Sequence, residues 1–262
     1  MYQQNKHQFL LGAGLVSFFC LFTATLPTVT WAGSRVTKGP QLLAQFKPPT
    51  QGTPGRLEGA GTRTASGPCI ADVNKSLTLL MPESSMGLTL QSSPTFYAYL
   101  PQSSASKVDF ILLTDEEKNG GQSTQSNKKV VYEKSIEING KTPGIIMVNL
   151  AEGNVKLEAN KQYQWSFSLA CGEGSDRSGD VAVSGIVQKV EAPDLKAVAE
   201  TLQDERKQAL FYADKGYWFD ALNILAKKRF DNLTDEIAKK DWENLLTSVK
   251  LDKFAEDTPI KP

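Results

Sequence analysis

The sequence KQYQWSFSLAC, residues 161–171, decides the fold of this chain. Its large apolar residues occupy alternate positions, so they fall on one face of an extended strand. That face consists of Tyr163, Trp165, Phe167, Leu169 and Cys171. A polar, glycine-rich loop at residues 172–179 leads into a second apolar run, DVAVSGIVQKV (180–190). The pattern predicts an antiparallel hairpin that is half-buried and turns its aromatic face to a core.

The second run of this hairpin changes face part-way along its length. Val181 and Val183 share one face, whereas Ile186 and Val190 take the other. Because the change occurs at Ser184-Gly185, we predict a β-bulge at that point.

Short apolar runs separated by turn residues extend over residues 67–192, without a helical pattern between them. Their spacing of about 8–15 residues is typical of an all-β sandwich. The runs are Leu77–Met81, Gly87–Gln91, Pro94–Leu100, Val108–Thr114, Val130–Ile138, Gly144–Leu150, Lys161–Cys171 and Asp180–Val190. We therefore predict an antiparallel β-sandwich over this range.

The approach to the first strand of the hairpin resembles a tyrosine corner. In immunoglobulin-like and fibronectin-like sandwiches, a tyrosine at the start of the penultimate strand bonds back to the backbone of the preceding corner. Residues 157–165, LEANKQYQW, place Tyr163 in that position. The resemblance implies an immunoglobulin/fibronectin-like sandwich, with residues 161–171 as a central strand.

After Pro193 the apolar residues recur with the period of an α-helix. We predict a first helix around Leu195–Leu202, and a second that is capped by Asp204 and stopped by Gly216. A third helix follows over Trp218–Arg229, and a fourth over Thr234–Val249 with Thr234 as its N-cap.

Part of this helical region resembles one tetratricopeptide-type hairpin, in which small residues let two helices approach closely and aromatic residues fill the groove. The matching residues are Ala209, Tyr212, Gly216, Trp218, Ala221 and Leu225. One such repeat cannot form a solenoid by itself. Two interpretations stay open: a helical cap on the sandwich, or a peptide-binding groove in which Tyr212 and Trp218 contact a partner.

The N-terminal end has the organisation of a secretory signal peptide. Lys6 and His7 precede an apolar run at residues 9–22, and Thr30-Trp31-Ala32 ends in the small residues that a signal peptidase requires. We expect cleavage after residue 32; the alternative is an uncleaved anchor, for which the apolar run is barely long enough. Residues 33–66 are rich in Gly, Pro, Gln, Thr and Ser and predict a flexible linker.

The composition of the cleaved chain excludes several functions. His7 is the sole histidine and is lost with the signal peptide, which removes Ser/His and Cys/His catalysis and most transition-metal sites. The 29 basic and 29 acidic residues of the full chain balance, so no overall charge attracts nucleic acid or an acidic membrane, and we expect no nucleic-acid partner. We also expect no stable membrane insertion after cleavage. Cys69 and Cys171 remain in a compartment that permits disulfides, and we expect them to be bonded rather than to be two buried thiols.

Two aromatic side chains are candidates for binding. Tyr97 is out of phase with Phe96, Ala98 and Leu100, so Tyr97 and Tyr99 are expected to be exposed on the sandwich. An exposed aromatic strip could bind sugar or a partner strand. Core packing against the helices is the competing explanation.

The hairpin loop carries the main cluster of charges. We interpret Asp176, Arg177 and Asp180 as loop-ordering residues that act through turns and an arginine–carboxylate pair. The carboxylates of Glu173, Asp176 and Asp180 could bind calcium, but their spacing matches no calcium loop and Arg177 between them opposes it, so we predict no metal and no cofactor. A Glu83/Asp180 acid–base pair would permit a carboxylate-based hydrolase, but nothing in the sequence brings these two residues together.

An ordered set of motifs resembles a known family. The motifs are Gly59-x-Gly61-Thr62-Arg63, Leu80-x-Pro82-Glu83, Gly87-Leu88-Thr89, Pro94-Thr95-Phe96-x-x-Tyr99-x-Pro101, Thr142-Pro143-Gly144-Ile145, Tyr163-x-Trp165, Asp176-Arg177-Ser178 and Gly216-x-Trp218-x-Asp220-Ala221-Leu222. Together they resemble a cyanobacterial family of secreted proteins catalogued only as a domain of unknown function, number nine-two-eight. The resemblance implies an exported location and brings no activity, cofactor or catalytic residue.

These observations combine into one expectation. The domains are a signal peptide (1–32), a linker (33–66), a β-sandwich (67–192) and a C-terminal helical, tetratricopeptide-like module (193–262). We expect an exported, periplasmic or extracellular protein that is not an enzyme and that contacts an unknown protein partner in the cell envelope. The alternatives are a carbohydrate- or polymer-binding module and, less well supported, a hydrolase.

Overall fold

A computed structural model of the chain describes residues 43–48, 64–65, 67, 69–71, 74–115, 128–172 and 177–260. The predicted signal peptide and Asp176 lie outside the described residues, as does most of the predicted linker. Residues 41–262 form one compact unit, which contains every element named below.

The apolar runs of the sequence form the strands of two β-sheets. Each predicted run overlaps one strand, and a short additional strand, β1, precedes them. The strands of the described residues are β1 (Thr64–Ala65), β2 (Leu77–Leu79), β3 (Met86–Thr89), β4 (Thr95–Leu100), β5 (Lys107–Asp115), β6 (Lys128–Glu137), β7 (Gly144–Asn149), β8 (Gln162–Leu169) and β9 (Val181–Lys189).

One sheet has the order β1-β2-β4-β7 and the other has the order β3-β9-β8-β5-β6. The predicted hairpin of β8 and β9 is present, with antiparallel pairing from Gln162 opposite Gln188 to Leu169 opposite Val181. Strand β8 therefore lies at the centre of the five-stranded sheet, between β9 and β5.

The prediction of a purely antiparallel structure was wrong at one edge, because β3 pairs with β9 in parallel. Residues 80–85 carry the chain from the first sheet, which contains β2, to the second, which contains β3, so these neighbours in sequence do not form a hairpin. The predicted β-bulge at Ser184-Gly185 was also wrong, since β9 keeps an unbroken register with β8. Apolar residues change face there because residues 185–188 are buried on both faces.

Aromatic side chains join the two sheets into one core. Trp165 and Phe167 of β8 are fully buried, as the alternating pattern predicted. The ring of Phe96, on β4 of the first sheet, lies 4.6 Å from that of Trp165 and 5.3 Å from that of Phe110 on β5, between ring centroids. Such tilted aromatic pairs contribute beyond the area that they bury.

Two local features fix the ends of the central strand. The Tyr163 hydroxyl accepts a hydrogen bond from the backbone N–H of Glu158, 3.0 Å away, which is the backward bond that the tyrosine corner predicts. Cys171 and Cys69 form a disulfide, with their Cα atoms 5.5 Å apart and a sequence separation of 102 positions. The corner holds one end of β8, and the disulfide ties the other end to the chain before β2.

Four α-helices follow the strands in the described residues: α1 (Pro193–Thr201), α2 (Glu205–Lys215), α3 (Trp218–Asp231) and α4 (Glu236–Thr247). The predicted caps of α2 are both present, since the Asp204 carboxylate accepts from the Arg206 N–H and Gly216 adopts φ 82°. The predicted cap of α4 was wrong by one residue: Asp235, not Thr234, accepts from the first free N–H groups. The Thr234 side chain instead donates to Asn232.

The helices pack on the sheets and share their core. The Phe219 ring of α3 lies 5.3 Å from Phe96 and 6.0 Å from Trp165, between centroids. A Cβ added at Gly87 of β3 would lie 2.6 Å from the Phe219 ring, so glycine lets α3 approach the strand. Helix α3 therefore packs on the sheets, as the interpretation of the helices as a cap on the sandwich predicts.

Candidate functional site

A short extended segment of the predicted linker lies against the helices. This segment, LAQFKP (residues 43–48), is called the arm below. Along the arm, Ala44 is fully buried and Phe46 is half-buried, whereas Leu43, Gln45 and Lys47 are exposed. The alternation is that of a strand with one face on a surface. The linker prediction did not anticipate this contact.

The arm contacts the surface made by Ala213, Asp214, Trp218 and Ser248, which is called the arm site below. The Phe46 ring meets the Trp218 indole edge to face, with the centroids 5.1 Å apart. The Phe46 N–H donates to Ser248 Oγ at 3.0 Å, and the Lys47 N–H donates to the Ala213 carbonyl at 3.0 Å. Three helices thus supply the arm site: Ala213 and Asp214 from α2, Trp218 from α3, and the C-cap of α4.

The arm site favours a positive charge. The Lys47 ammonium forms an ion pair with the Asp214 carboxylate, which also accepts from Lys215 at 3.1 Å. The hydrogen bond from Lys47, followed by that from Lys215, lowers the pKa of Asp214 below its ordinary value. The C-terminal end of α2 adds a partial negative charge at the same place. Because Lys47 is exposed and Asp214 is partly exposed, the pair is worth about 0–1 kcal/mol and selects charge more than it adds affinity.

The aromatic residues proposed for partner binding are buried. Tyr212 is 6% exposed, and Trp218 is fully buried with its indole N–H donating to the Leu80 carbonyl at 2.9 Å. Trp218 nevertheless supports the arm through its ring. Of the four proposed residues, Trp218 alone is therefore part of the arm site.

The expectation that Tyr97 and Tyr99 are exposed was wrong, since they are 3% and 2% exposed. Helix α3 contacts Tyr97, whose hydroxyl donates to Asn223 Oδ1 at 2.8 Å. Tyr99 is covered by Phe254, whose ring centroid lies 4.6 Å away. Core packing against the helices, the competing explanation, accounts for both residues, and the exposed aromatic strip that a sugar would need is absent from these positions.

A surface depression of about 260 Å³ lies where β9 leads into α1. Lys189, Glu191 and Lys196 are its charged residues, and the described residues that line it include no aromatic ring. It therefore lacks the flat apolar surface on which a sugar ring stacks.

Helix α3 carries a buried carboxylate that the sequence did not single out as a functional residue. Asp220 is 3% exposed, and its Oδ2 accepts from the Leu90 N–H at 3.0 Å. Its Oδ1 has no hydrogen-bond partner within the described residues. Burial, which outweighs the Leu90 hydrogen bond, raises the pKa of Asp220 to about 6. The sequence feature that could have indicated this buried carboxylate is an acidic residue between Phe219 and Ala221, in an otherwise apolar turn of helix.

The charges of the hairpin loop pair with one another and with β5. Arg177 forms ion pairs with Asp180 and, at 2.7 Å, with Asp109, a partner that the sequence did not indicate. Asp180 Oδ1 also accepts from the Cys171 N–H at 3.0 Å. Asp176 lies outside the described residues. These contacts link Arg177 and Asp180 to β5 and to Cys171 of the disulfide.

The two carboxylates considered for a hydrolase each form an ion pair with a basic side chain. Glu83 pairs with Lys250 at 3.1 Å, and Asp180 pairs with Arg177. No group of three or more His, Cys, Asp and Glu side chains in the described residues could hold a metal ion. Among the same residues, no helix is long and apolar enough to cross a membrane.

The chain is thus a β-rich protein in which two β-sheets are followed by four helices in the described residues, with one disulfide and with the arm seated on the arm site. The chain belongs to the family described as Domain of Unknown Function (DUF928), whose model matches residues 58–259. None of the curated proteins compared with the chain matches it. The matched range includes the arm site and both bonded cysteines, whereas the arm lies before it.

Proposed function

We propose that this protein is an exported, non-enzymatic protein of the cell envelope that contacts another protein through its C-terminal helices. One observation carries the proposal: three helices hold an extended segment by two hydrogen bonds from its backbone N–H groups, an aromatic contact and an ion pair. Backbone bonds give affinity for any extended chain, and side-chain contacts then select among sequences. The arm site is therefore built to hold a peptide.

Export is part of the proposal. Its support is the N-terminal sequence, in which a basic start, an apolar run and Thr30-Trp31-Ala32 follow in the order of a signal peptide. The Cys69–Cys171 disulfide agrees with an oxidising compartment outside the cytosol. We also propose a cyanobacterial origin, on the strength of the motifs in the sequence.

We also propose that the two sheets form an immunoglobulin/fibronectin-like sandwich, over residues 67–192. The order β2-β4-β7 in one sheet and β9-β8-β5-β6 in the other follows the two-sheet arrangement of that fold, with β8 as the penultimate strand. The bond between Tyr163 and the Glu158 N–H supports the same assignment.

For residues 193–262 we propose a tetratricopeptide-like hairpin made by α2 and α3. The small residues Ala209, Ala213 and Ala221 are fully buried, as close approach of two helices requires. Gly216 ends α2 with φ 82° and lets the chain turn into α3.

Site-specific photo-crosslinking tests the proposed contact. A benzophenone amino acid replaces Lys215, beside Asp214, in a mature chain that also carries Phe46→Ala to weaken its own arm, and the protein is illuminated in an envelope fraction. The matched control carries the same group at Val130, which is 52% exposed on β6. We expect one protein to be joined at position 215 and not at position 130. Equal products at both positions, or none at position 215, would contradict the proposal.

A further inference from the structure

The arm and the arm site belong to different parts of the sequence. Residues 49–63, PTQGTPGRLEGAGTR, connect the arm to β1 and contain Leu57 as their single large apolar residue. The family model begins at residue 58, after the arm, and covers all four residues of the arm site. The arm therefore contacts the arm site as a ligand on a tether would.

Each contact of the arm selects one feature of a ligand. Ala44 is fully buried between exposed neighbours, so its position accepts a small side chain. Phe46 is held by the Trp218 ring, and an edge-to-face pair requires an aromatic side chain. Lys47 faces Asp214 at the C-terminal end of α2, where a cation is favoured. The selected sequence is small–x–aromatic–cation in an extended conformation.

We infer that the arm site is a peptide-recognition site for an extended small–x–aromatic–cation segment of another protein, and that the arm is a built-in competitor for it. The inference rests on the proposed function and names its ligand. It accounts for the charge of the arm site, where Asp214 and the end of α2 together attract a basic segment.

The tether sets how strongly the arm competes. Because residues 49–63 join the arm covalently to β1, the arm competes as an intramolecular ligand, for which an effective concentration on the order of millimolar is typical. A partner segment of the same intrinsic affinity therefore binds weakly until the arm is displaced or weakened. The apparent affinity rises by the inverse of the fraction of free sites.

A labelled peptide that copies residues 41–48, QLLAQFKP, tests the inference by fluorescence anisotropy. The proteins are the mature wild-type chain, Phe46→Ala, and Phe46→Ala combined with Asp214→Lys. We expect Phe46→Ala to bind the peptide about tenfold more tightly than wild type, because its own arm no longer competes. Adding Asp214→Lys should weaken this binding about fivefold, since an attraction worth under 1 kcal/mol becomes a repulsion.

Two altered peptides make the assay specific. A peptide with alanine at the phenylalanine position should lose at least tenfold in affinity for the Phe46→Ala protein. A peptide with glutamate at the lysine position should recover binding to the Asp214→Lys protein, which a purely structural role for Asp214 would not produce.

Two results would overturn the inference. A Phe46→Ala protein that keeps its circular dichroism and melting transition but binds no peptide would show that the arm is only a structural strap. A concentration-dependent dimer of wild type that Phe46→Ala abolishes would assign the site to the arm of a second copy. Both results are independent of cross-linking at position 215 to an envelope protein. Failure of the inference can therefore be distinguished from failure of the proposed function.

Discussion

The Phe46 ring meets the Trp218 indole at an interplanar angle of 83°, while the indole N–H of Trp218 donates to the Leu80 carbonyl. One side chain of α3 thus contacts the arm with its ring and the sheet region with its nitrogen. Trp218 therefore contacts both the arm and the sheet region, and its hydrogen bond to Leu80 fixes the position of the ring that supports the arm.

Removing the Phe46 ring should destabilise the protein modestly. We expect Phe46→Ala to lower the free energy of unfolding by about 1–2 kcal/mol, because a half-buried ring and its edge-to-face contact are lost. Urea unfolding followed by circular dichroism measures the change. Gln45→Ala, at an exposed neighbouring position, is the control and should remain within about 0.5 kcal/mol of wild type. Equal effects of the two substitutions would show that the arm is not held through Phe46.

Gly87→Ala should interfere with the docking of α3 on β3. The new Cβ would lie 2.6 Å from the Phe219 ring, which Phe96 and Trp165 prevent from moving aside. Overpacking of this kind costs about 1–3 kcal/mol, measured as a shift of the urea midpoint. In a Phe219→Leu background the same glycine substitution should cost less, because the smaller side chain leaves room. A cost that is unchanged in that background would contradict the contact.

Asp220 should make stability depend on pH in the acidic range. Its pKa is raised from the ordinary 3.8 to about 6 by burial, so the folded chain keeps its proton at pH values where the unfolded chain has lost it. The free energy of unfolding therefore falls as the pH rises from about 4 to about 6, by at most about 3 kcal/mol from this group. The nearby Tyr212 and Tyr217 have raised pKa values, mainly through burial, and titrate far above this window.

Asp220→Asn removes that titration and keeps the shape of the side chain. We expect the stability of wild type relative to Asp220→Asn to be greater at pH 4.5 than at pH 7, measured by urea unfolding at both values. Other titrating groups cancel in this difference. Parallel pH profiles for the two proteins would show that the Asp220 pKa is not raised.

Breaking the Cys69–Cys171 bond should destabilise the chain by up to about 4–5 kcal/mol on the chain-entropy model, since the bond closes a loop of 102 positions. Cys69→Ser, Cys171→Ser and the double substitution should have nearly equal urea midpoints, because each removes the same cross-link. A reducing agent that leaves the wild-type midpoint unchanged would contradict this account.

The sequence predicted those parts of the fold in which one local signal dominates. Strand β8 buries one face, so Trp165 and Phe167 alternate with polar residues and identify it. The Asp204 cap and the Gly216 stop of α2 follow from backbone chemistry within one turn. Where both faces are covered, alternation loses its meaning: every residue of β4 is buried, so the phase of Tyr97 indicated exposure incorrectly.

Local sequence patterns did not predict which strands that lie far apart in the sequence pair with each other. Nothing local to β3 shows that its partner is β9 or that the two run in parallel. The arm was hidden for a related reason, because its neighbours in sequence are those of a linker. Leu42, Leu43 and Phe46 are the one cluster of large apolar residues between positions 33 and 66, and this was the signal available for it.

Hydrogen exchange at the backbone amides of Phe46 and Lys47 tests most directly whether the arm is bound. These amides donate to Ser248 Oγ and to the Ala213 carbonyl. We predict that in the wild-type mature chain, followed by NMR, both exchange more slowly than an unstructured peptide of the same sequence, and that Phe46→Ala removes the protection of Lys47. Exchange of both amides at the unprotected rate in wild type would contradict the account.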